Sequence, residues 1–187
     1  MVHKSSTQVP MDAKIDVKAR PKYVSRGGKK LVAAIDAFEI DPTGMVCADV
    51  GASTGGFTDC LLQNGAAKVY AIDVGYGLLH WKLRQDPRVV VMERTNARYL
   101  ESLPERVGLV TIDASFISLA LLLPAIRGWF MQGTGRVIAL IKPQFEAGRK
   151  AAALHAGVIK DEEVHARVLE DTLNSAASLG FRPAGLI

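Results

Sequence analysis

The sequence lacks any long apolar run, and this absence excludes several classes of protein. No stretch of about 18 apolar residues occurs in the 187-residue chain, so no transmembrane helix is expected. Residues 1–7 do not form the apolar core of a secretory signal peptide. Cysteine is also scarce. Cys47 and Cys60 lack the spacing of metal ligands and lie in apolar patterns, so we predict buried free thiols, no metal site and a reducing, cytoplasmic location.

Excess charge of either sign is small over most of the chain but not at one end. The sequence holds 23 Lys and Arg against 19 Asp and Glu, a net charge of +4. Residues 1–30 contain eight basic and two acidic side chains, a net of +6, whereas the remainder contains 15 basic and 17 acidic side chains, a net of −2. A basic end on a near-neutral body indicates either an acidic partner at that end or a solvated tail.

Short apolar strands alternate with amphipathic helices from residue 23 onward. The first helix is expected to start at Ser25 as its cap and to reach Phe38. The predicted strands are 46–50, 68–73, 88–92, 107–112, 136–141 and 181–187, and the main later helices are 57–63, 119–130 and 162–179. Near-continuous apolar strands require cover on both faces of the sheet. The pattern therefore predicts one α/β domain with a doubly wound, mostly parallel, Rossmann-like sheet.

A glycine-rich loop follows the first predicted strand, where ligands bind in such folds. It reads Asp49-Val50-Gly51-Ala52-Ser53-Thr54-Gly55-Gly56-Phe57. Glycines let the backbone approach a ligand, and the start of the next helix offers N–H donors. The pattern matches neither Gly-x-Gly-x-x-Gly nor a phosphate loop, but it resembles the S-adenosylmethionine (SAM) loop of Rossmann methyltransferases. The resemblance implies a cofactor role for Asp49, Gly51, Ser53, Gly55, Gly56 and Phe57; the alternative is a tight turn that needs glycine sterically.

Polar residues also follow the next two strands. Asp73 ends the second strand and can accept both ribose hydroxyls of a nucleoside cofactor, although an ordinary acid at a strand end is the alternative. Asn96 follows the third strand, and its side-chain amide could read the edge of an adenine ring. Together with the loop, these residues are expected to form one cofactor pocket.

An aspartate and a lysine stand at the ends of the fourth and fifth strands. Asp113 and Lys142 should face each other over the cofactor pocket, and Lys30 on the first helix could reach the same place from the other side. A lysine beside a second ammonium can act as a base, and an acid between the two tempers that effect. Taken alone, each lysine would be interpreted as a surface charge.

Several longer motifs occur in order along the chain. They span residues 23–31, 49–60, 71–77, 93–98, 111–118, 142–149 and, more loosely, 157–161. Together they resemble the TlyA family, whose members are called hemolysins or rRNA 2′-O-methyltransferases and are related to the FtsJ/RrmJ methyltransferases. The resemblance implies a SAM-dependent enzyme that methylates a ribose 2′-hydroxyl, with Lys30, Asp113 and Lys142 as its catalytic set. Ribosomal RNA or a ribosomal subunit would be the partner.

Basic residues near these motifs are candidates for RNA binding. Arg26 and Lys29 lie beside Lys30, and Arg149 and Lys150 lie in a segment, 144–157, that we expect to act as a lid. Such side chains hold phosphates and provide salt-dependent affinity without reading sequence.

The chain also departs from the family pattern at both ends. Only residues 12–17 resemble the last strand of the family's N-terminal RNA-binding module, so residues 1–22 are expected to be a basic arm with a remnant of that module. Residues 23–187 would form the methyltransferase domain. The family continues with a Gly-Asn-x-Glu segment that carries a last catalytic acid, so this domain is expected to be C-terminally incomplete. The sixth strand would then be an edge prone to association.

Three other functions compete with RNA methylation. Membrane lysis is suggested only by the family's hemolysin name. A nicotinamide-dependent dehydrogenase would also use an acid at the end of its second strand, but Ser53 and the missing Gly-x-Gly-x-x-Gly pattern argue against it. A catalytically inactive, RNA-binding methyltransferase-like core is the third.

Overall fold

Five parallel strands form one sheet at the centre of the molecule. The computed structural model describes residues 8, 10–13, 21–131, 134–148 and 159–187. The strands are β1 (Val46–Val50), β2 (Lys68–Ile72), β3 (Val89–Met92), β4 (Leu109–Ile112) and β5 (Arg136–Ala139). They are arranged in the order β3-β2-β1-β4-β5, and every neighbouring pair is parallel. This order confirms the predicted doubly wound, Rossmann-like fold, with its switch point between β1 and β4.

The helices that connect these strands follow most of the predicted boundaries. They are α1 (Gly27–Ala37), α2 (Gly56–Gln63), α3 (Trp81–Arg84), the 3₁₀ helix Ala97–Tyr99, α4 (Leu119–Arg127), α5 (Pro143–Glu146) and α6 (Glu162–Ser178). Asp161 caps α6, because its side chain accepts hydrogen bonds from the N–H groups of Glu163 and Val164. Of the predicted basic arm with its strand remnant, residues 1–22, residues 1–7, 9 and 14–20 lie outside the described residues.

Alternate residues of the strands feed two separate cores. Leu109 of β4 packs on the side of α1 and α2, with Leu31 and Leu61, whereas the next residue, Val110, packs on the other side. There it joins side chains of α4, including Ile126. Because successive strand residues point to opposite faces, continuous apolar runs are required when both faces are covered.

The predicted sixth strand is wrong. Residues 181–187 have no regular structure and are mostly exposed. Gly180 adopts a φ of +82°, and the N–H groups of Gly180 and Phe181 donate to the carbonyls of Ala177 and Ala176. This is the Schellman arrangement that ends a helix and turns the chain away. Pro183 then removes a donor that a strand would need, so the edge expected to associate is not formed by this segment.

The predicted cap of the first helix is also wrong. The N-cap is Arg26, one residue later than predicted, and no side chain forms a capping hydrogen bond there. Ser25 instead faces the start of α2, where its Oγ would lie 2.2 Å from a Cβ placed on Gly56. The Ser25 hydroxyl therefore packs between the starts of α1 and α2 and does not cap α1 as the sequence pattern predicts.

Both cysteines are free and buried, as predicted. Burial raises the pKa of Cys47 to about 12 and that of Cys60 to about 11. Thiols in this state are poor nucleophiles, so both serve as small apolar core residues.

Candidate active site

The first strand ends in a carboxylate that holds the glycine-rich loop from inside. Asp49 is fully buried, and its Oδ2 accepts hydrogen bonds from Thr58 N (2.9 Å) and Thr58 Oγ1 (2.7 Å). Its Oδ1 accepts one from Thr111 Oγ1 at 3.2 Å. Burial raises the pKa of Asp49 to about 6, because these hydrogen bonds only partly offset desolvation. Asp49 thus ties β1 to α2 and β4, and its carboxylate faces protein atoms.

The glycines of this loop are required by contacts within the protein. Gly51 has a φ of +80°, and a Cβ there would lie 2.9 Å from the backbone of Ala114, in the loop after β4. A Cβ on Gly55, whose φ is +93°, would lie 2.2 Å from Leu83, and one on Gly56 would lie 3.0 Å from the backbone nitrogen of Gly28. The steric alternative raised by the sequence is therefore sufficient to explain them. It leaves their cofactor role as a prediction.

Ser53 and Asp73 are brought together as the sequence predicts. The Ser53 N–H donates to Asp73 Oδ2 at 2.8 Å, and the Gly75 N–H donates to Oδ1 at 2.7 Å. Ser53 has a φ of 49°, a left-handed conformation that is uncommon for a residue with a side chain. Each carboxylate oxygen retains a further lone pair. Asp73 is therefore oriented by the backbone and can still accept hydroxyl groups.

The remaining two predicted cofactor residues differ in their surroundings. Asn96 is exposed, precedes the 3₁₀ helix and accepts a hydrogen bond from the Arg98 N–H at 3.0 Å through Oδ1. The neighbouring Thr95 N–H donates to the Asp73 carbonyl at 2.9 Å, so Asn96 lies near the same end of β2. The ring of Phe57, in contrast, is only 4% exposed and belongs to the core between α1 and α2.

Three predicted catalytic side chains meet at the ends of β4 and β5. Lys142 Nζ lies 2.5 Å from Asp113 Oδ1, and Lys30 Nζ lies 3.7 Å from Asp113 Oδ2. The side chains of Asp113 and Lys142 are 22% and 19% exposed, whereas that of Lys30 is 55% exposed. One carboxylate thus lies between two ammonium groups, one fixed and one facing solvent.

The position of Lys142 is fixed by more than this ion pair. Its ammonium also lies 3.0 Å from the Ala114 carbonyl, 3.2 Å from the Asp113 carbonyl and 3.1 Å from Ser115 Oγ. An ammonium has three protons, so these oxygens can engage all of them. Ser115 was not among the predicted site residues, although it lies within the 111–118 motif.

Glu146 is a second residue that the sequence interpretation missed. Its Oε2 accepts a hydrogen bond from Ser118 Oγ at 2.5 Å, and its Oε1 accepts one from the Leu119 N–H at 2.8 Å. A carboxylate at the start of α4 is stabilised by the unpaired N–H groups there. The contact joins α5, which begins directly after Lys142, to the loop that follows Asp113. The partners are separated by 28 residues, so no local pattern could have paired them.

The same loop carries an exposed aromatic side chain. Phe116 is 91% exposed and has a φ of 64°, which is strained for a bulky residue. Its ring centroid lies 5.0 Å from that of Phe145 in α5. Because Lys142 Nζ lies 5.9 Å from the Phe145 ring centroid, this aromatic pair adjoins the Asp113 site.

The predicted RNA-binding residues are only partly described. Arg26 and Lys29 are exposed at the start of α1, beside Lys30. Arg149 and Lys150, with residues 149–157 of the expected lid, lie outside the described residues. The described part of that segment includes the short helix α5, which Glu146 fastens to α4.

The described residues contain neither a membrane span nor a metal-binding cluster. Among these residues, no helix is long and apolar enough to cross a membrane. Within the same part of the chain, no group of three or more His, Cys, Asp or Glu side chains is placed to hold a metal ion.

Comparison with known proteins agrees with the fold and the motifs. Protein YqxC of Bacillus subtilis, whose name assigns it provisionally to the rRNA methyltransferases, is 48% identical over 187 residues, which are 98% of this chain and 66% of YqxC. The 16S/23S rRNA (cytidine-2′-O)-methyltransferase TlyA of Mycobacterium tuberculosis is 51% identical over 166 residues, which are 88% of this chain and 61% of that protein. The chain thus spans less than two thirds of the length of these relatives.

A solved structure has the same fold. The Streptococcus thermophilus protein, which carries the hemolysin name, superposes with a TM-score of 0.84 at 46% identity. The match covers 90% of this chain and 62% of the Streptococcus chain. Residues 23–187 also match the family of FtsJ-like methyltransferases. With its parallel sheet, its glycine-rich loop and its Lys30, Asp113 and Lys142 cluster, the chain belongs to the FtsJ-like methyltransferase family.

Proposed function

We propose that this chain is the catalytic domain of a SAM-dependent RNA methyltransferase that modifies ribose 2′-hydroxyls of ribosomal RNA. The observation that carries the proposal is Asp113, which contacts both Lys142 and Lys30 at the switch point of the sheet. The name of the TlyA relative supports rRNA as the substrate and the cytidine 2′-oxygen as the acceptor. An rRNA substrate also agrees with a cytoplasmic location, where ribosomes are found.

The residues around the glycine-rich loop fit SAM. Asp73 is held by two backbone N–H groups and offers its remaining lone pairs to two ribose hydroxyls. Val74 follows directly and is 68% exposed, so an apolar surface adjoins the carboxylate and suits the face of an adenine ring. Asn96 lies near the same strand end and can read the adenine edge. The α2 N-terminus provides donors on the other side.

Bound SAM would supply a methyl group that is electrophilic because it is attached to a positively charged sulfur. The protein's task is to place a 2′-oxygen in line with that methyl group and to remove the hydroxyl proton. Asp113 and Lys142 are fixed relative to each other by the 2.5 Å contact and by backbone carbonyls, so they orient the hydroxyl in one direction. We assign the second contact with the hydroxyl to Lys30, whose ammonium is open to solvent.

Two measurements test the proposal. Isothermal calorimetry should show SAM binding to the wild-type protein, and labelled methyl transfer to rRNA should place the label on a ribose 2′-oxygen. Lys142→Ala should bind SAM but lose methyl transfer, because Lys142 lies on the acceptor side of the site. Arg167→Gln, an exposed position on α6, is the matched control and should behave as wild type. Absence of SAM binding by the wild type would refute the proposal.

The competing functions have less support. The family match is to methyltransferases, which favours SAM over a nicotinamide cofactor. Membrane lysis rests on the name of relatives and on no arrangement of the described residues. An inactive RNA-binding core would bind SAM or RNA without transferring the methyl group, so the same transfer assay decides it.

A further inference from the structure

A second surface lies at the opposite end of the carboxyl edge of the sheet from Lys142. The loop after β2, the start of α3 and the segment directly after β3 form it, and we call it the β3 rim (Tyr76, Trp81 and Arg94). Its two aromatic residues, Tyr76 and Trp81, are 68% and 66% exposed. Large aromatic rings are costly to leave in water, and two of them at one edge, beside a cation, mark a binding surface.

The β3 rim is held in place by its own hydrogen bonds. The Gly77 N–H donates to Glu93 Oε1 at 2.8 Å, and Arg84 at the end of α3 pairs with the same carboxylate. The Arg94 N–H donates to the Gly75 carbonyl at 3.0 Å. The loop that carries Tyr76, the helix that carries Trp81 and the segment that carries Arg94 are therefore fastened together around Glu93. Side chains on such a frame are presented to a partner without prior ordering.

The arginine of the rim lies on an aromatic ring. The guanidinium carbon of Arg94 is 4.4 Å from the centroid of Tyr76. Arg94 forms no ion pair with another described residue, whereas the nearby Arg84 and Arg88 do. This cation is thus positioned by an aromatic contact and keeps its donors for another molecule.

We propose that the β3 rim binds unpaired nucleotides of the RNA substrate beside the one that is methylated. Bases would stack on Tyr76 and Trp81, and Arg94 would hold a phosphate, the combination that binds single-stranded nucleic acid. The acidic Glu93 does not oppose this, because Arg84 and Gly77 already engage it. A partner protein would more often need a continuous apolar patch, and here the guanidinium group of Arg94 lies over the ring of Tyr76. The RNA identity of the ligand rests on the proposed function.

The place of the rim in the fold suits this role. Strand β3 is three positions from β4 in the sheet, a distance of about 14 Å at about 4.8 Å per strand. A chain of nucleotides that leaves the Asp113 site can therefore pass the cofactor loop and reach Tyr76. Base stacking tolerates any sequence, so the rim would add affinity and fix the direction of the RNA without selecting the target base.

Tryptophan fluorescence tests the proposal directly. The chain has two tryptophans, and Trp129 is fully buried while Trp81 is 66% exposed. Titration with a short oligouridine should quench the Trp81 emission, and Trp81→Phe should remove the response while keeping RNA affinity. In fluorescence anisotropy, Tyr76→Ala, Trp81→Ala and Arg94→Gln should each weaken binding of the oligouridine about tenfold, the lower part of the range for one stacked base. Arg167→Gln should bind as wild type.

Three results would overturn the proposal. They are unchanged Trp81 emission at saturating RNA, rim variants that bind as tightly as wild type, and equal quenching by a duplex RNA of the same length. The proposed function is judged separately, by SAM calorimetry and methyl transfer. RNA binding through the rim without methyl transfer would remove the proposed function only, and methyl transfer with rim variants that bind RNA normally would remove this inference only.

Discussion

Two aspartates at the ends of neighbouring strands, Asp49 and Asp113, have opposite environments. Asp49 is fully buried among threonine hydroxyls and a backbone N–H, with no cation in contact among the described residues. Asp113 is partly exposed between Lys142 and Lys30. A carboxylate surrounded by neutral donors holds the fold, whereas one between two cations at a cleft can act on a substrate. Sequence position alone does not separate the two roles, but the surroundings do.

The largest expected effect comes from removing the charge of Asp113, the aspartate between two cations. Asp113→Asn keeps the shape of the side chain but removes the negative charge between Lys30 and Lys142. The turnover number for rRNA methylation should fall about 10²–10⁴-fold, the usual contribution of a positioned acid–base group. SAM affinity measured by calorimetry should stay unchanged. Asp86→Asn, at an aspartate whose one ion pair among the described residues is with Arg88, is the control and should keep full activity. Full activity in Asp113→Asn would assign the chemistry to other residues.

The structural role of Asp49 is tested by measuring the free energy of unfolding as a function of pH. Burial raises the pKa of Asp49 from 3.8 to about 6. Between those values the folded state binds more protons than the unfolded state, so the Asp49 contribution to the free energy of unfolding falls as pH rises. Asp49→Asn should remove this dependence and gain about 3 kcal/mol relative to wild type between about pH 4 and 6, measured by urea unfolding.

Asp86→Asn gives the opposite sign in the same experiment. The Arg88 side chain lowers the pKa of Asp86, so this carboxylate stabilises the folded state above its unfolded pKa and loses that contribution as pH falls. The variant should therefore lose stability relative to wild type as pH rises. If the free energy of unfolding of wild type and of Asp49→Asn depended on pH in the same way, burial would not raise the pKa of Asp49.

The smallest expected effect comes from Glu146. Like Asp49 it accepts hydrogen bonds that hold the fold, and like Asp113 it lies beside the candidate active site. It caps α4 and also joins the loops that carry Asp113 and Lys142. Glu146→Ala should lower the free energy of unfolding by about 1 kcal/mol, as loss of a helix cap does, and should also lower the turnover number. Glu146→Gln keeps an acceptor oxygen and should recover most of both losses. Equal stability and equal turnover in the two variants would show that the hydrogen bonds to Ser118 and Leu119 contribute to neither.

The sequence predicts the sheet well because its signal is local and strong. Continuous apolar runs such as Val69 to Ile72, bounded by turn residues, favour strands covered on both sides, and the predicted boundaries agree with the structure within a few residues. Residues 181–187 misled because short apolar segments also occur in coil, and the Schellman turn at Gly180 decides between the two. The predicted cap at Ser25 was wrong because packing against Gly56 overrides the tendency of serine to cap a helix.

The candidate site was predictable to a different extent. Lys30, Asp113 and Lys142 were named from strand ends and a family resemblance, and the structure brings them together. The burial of Asp49 and its hydrogen bonds with Thr58 and Thr111 could not be predicted from its position in the loop. The contacts of Glu146 and Ser115 depend on residues 27 and 28 positions away, beyond the reach of any periodic pattern.

Gly51 has a consequence for how related sequences should be judged. Its φ of +80° and the backbone of Ala114, 2.9 Å from where a Cβ would stand, make glycine a folding requirement at this position. A lineage that abandoned methyl transfer would still be under selection to keep this glycine, since any other residue would separate the first and fourth strand ends. Among distant homologues, an intact Gly51 therefore indicates a shared fold, and under the proposed function it is Asp113 and Lys142 together that would indicate retained methyl transfer.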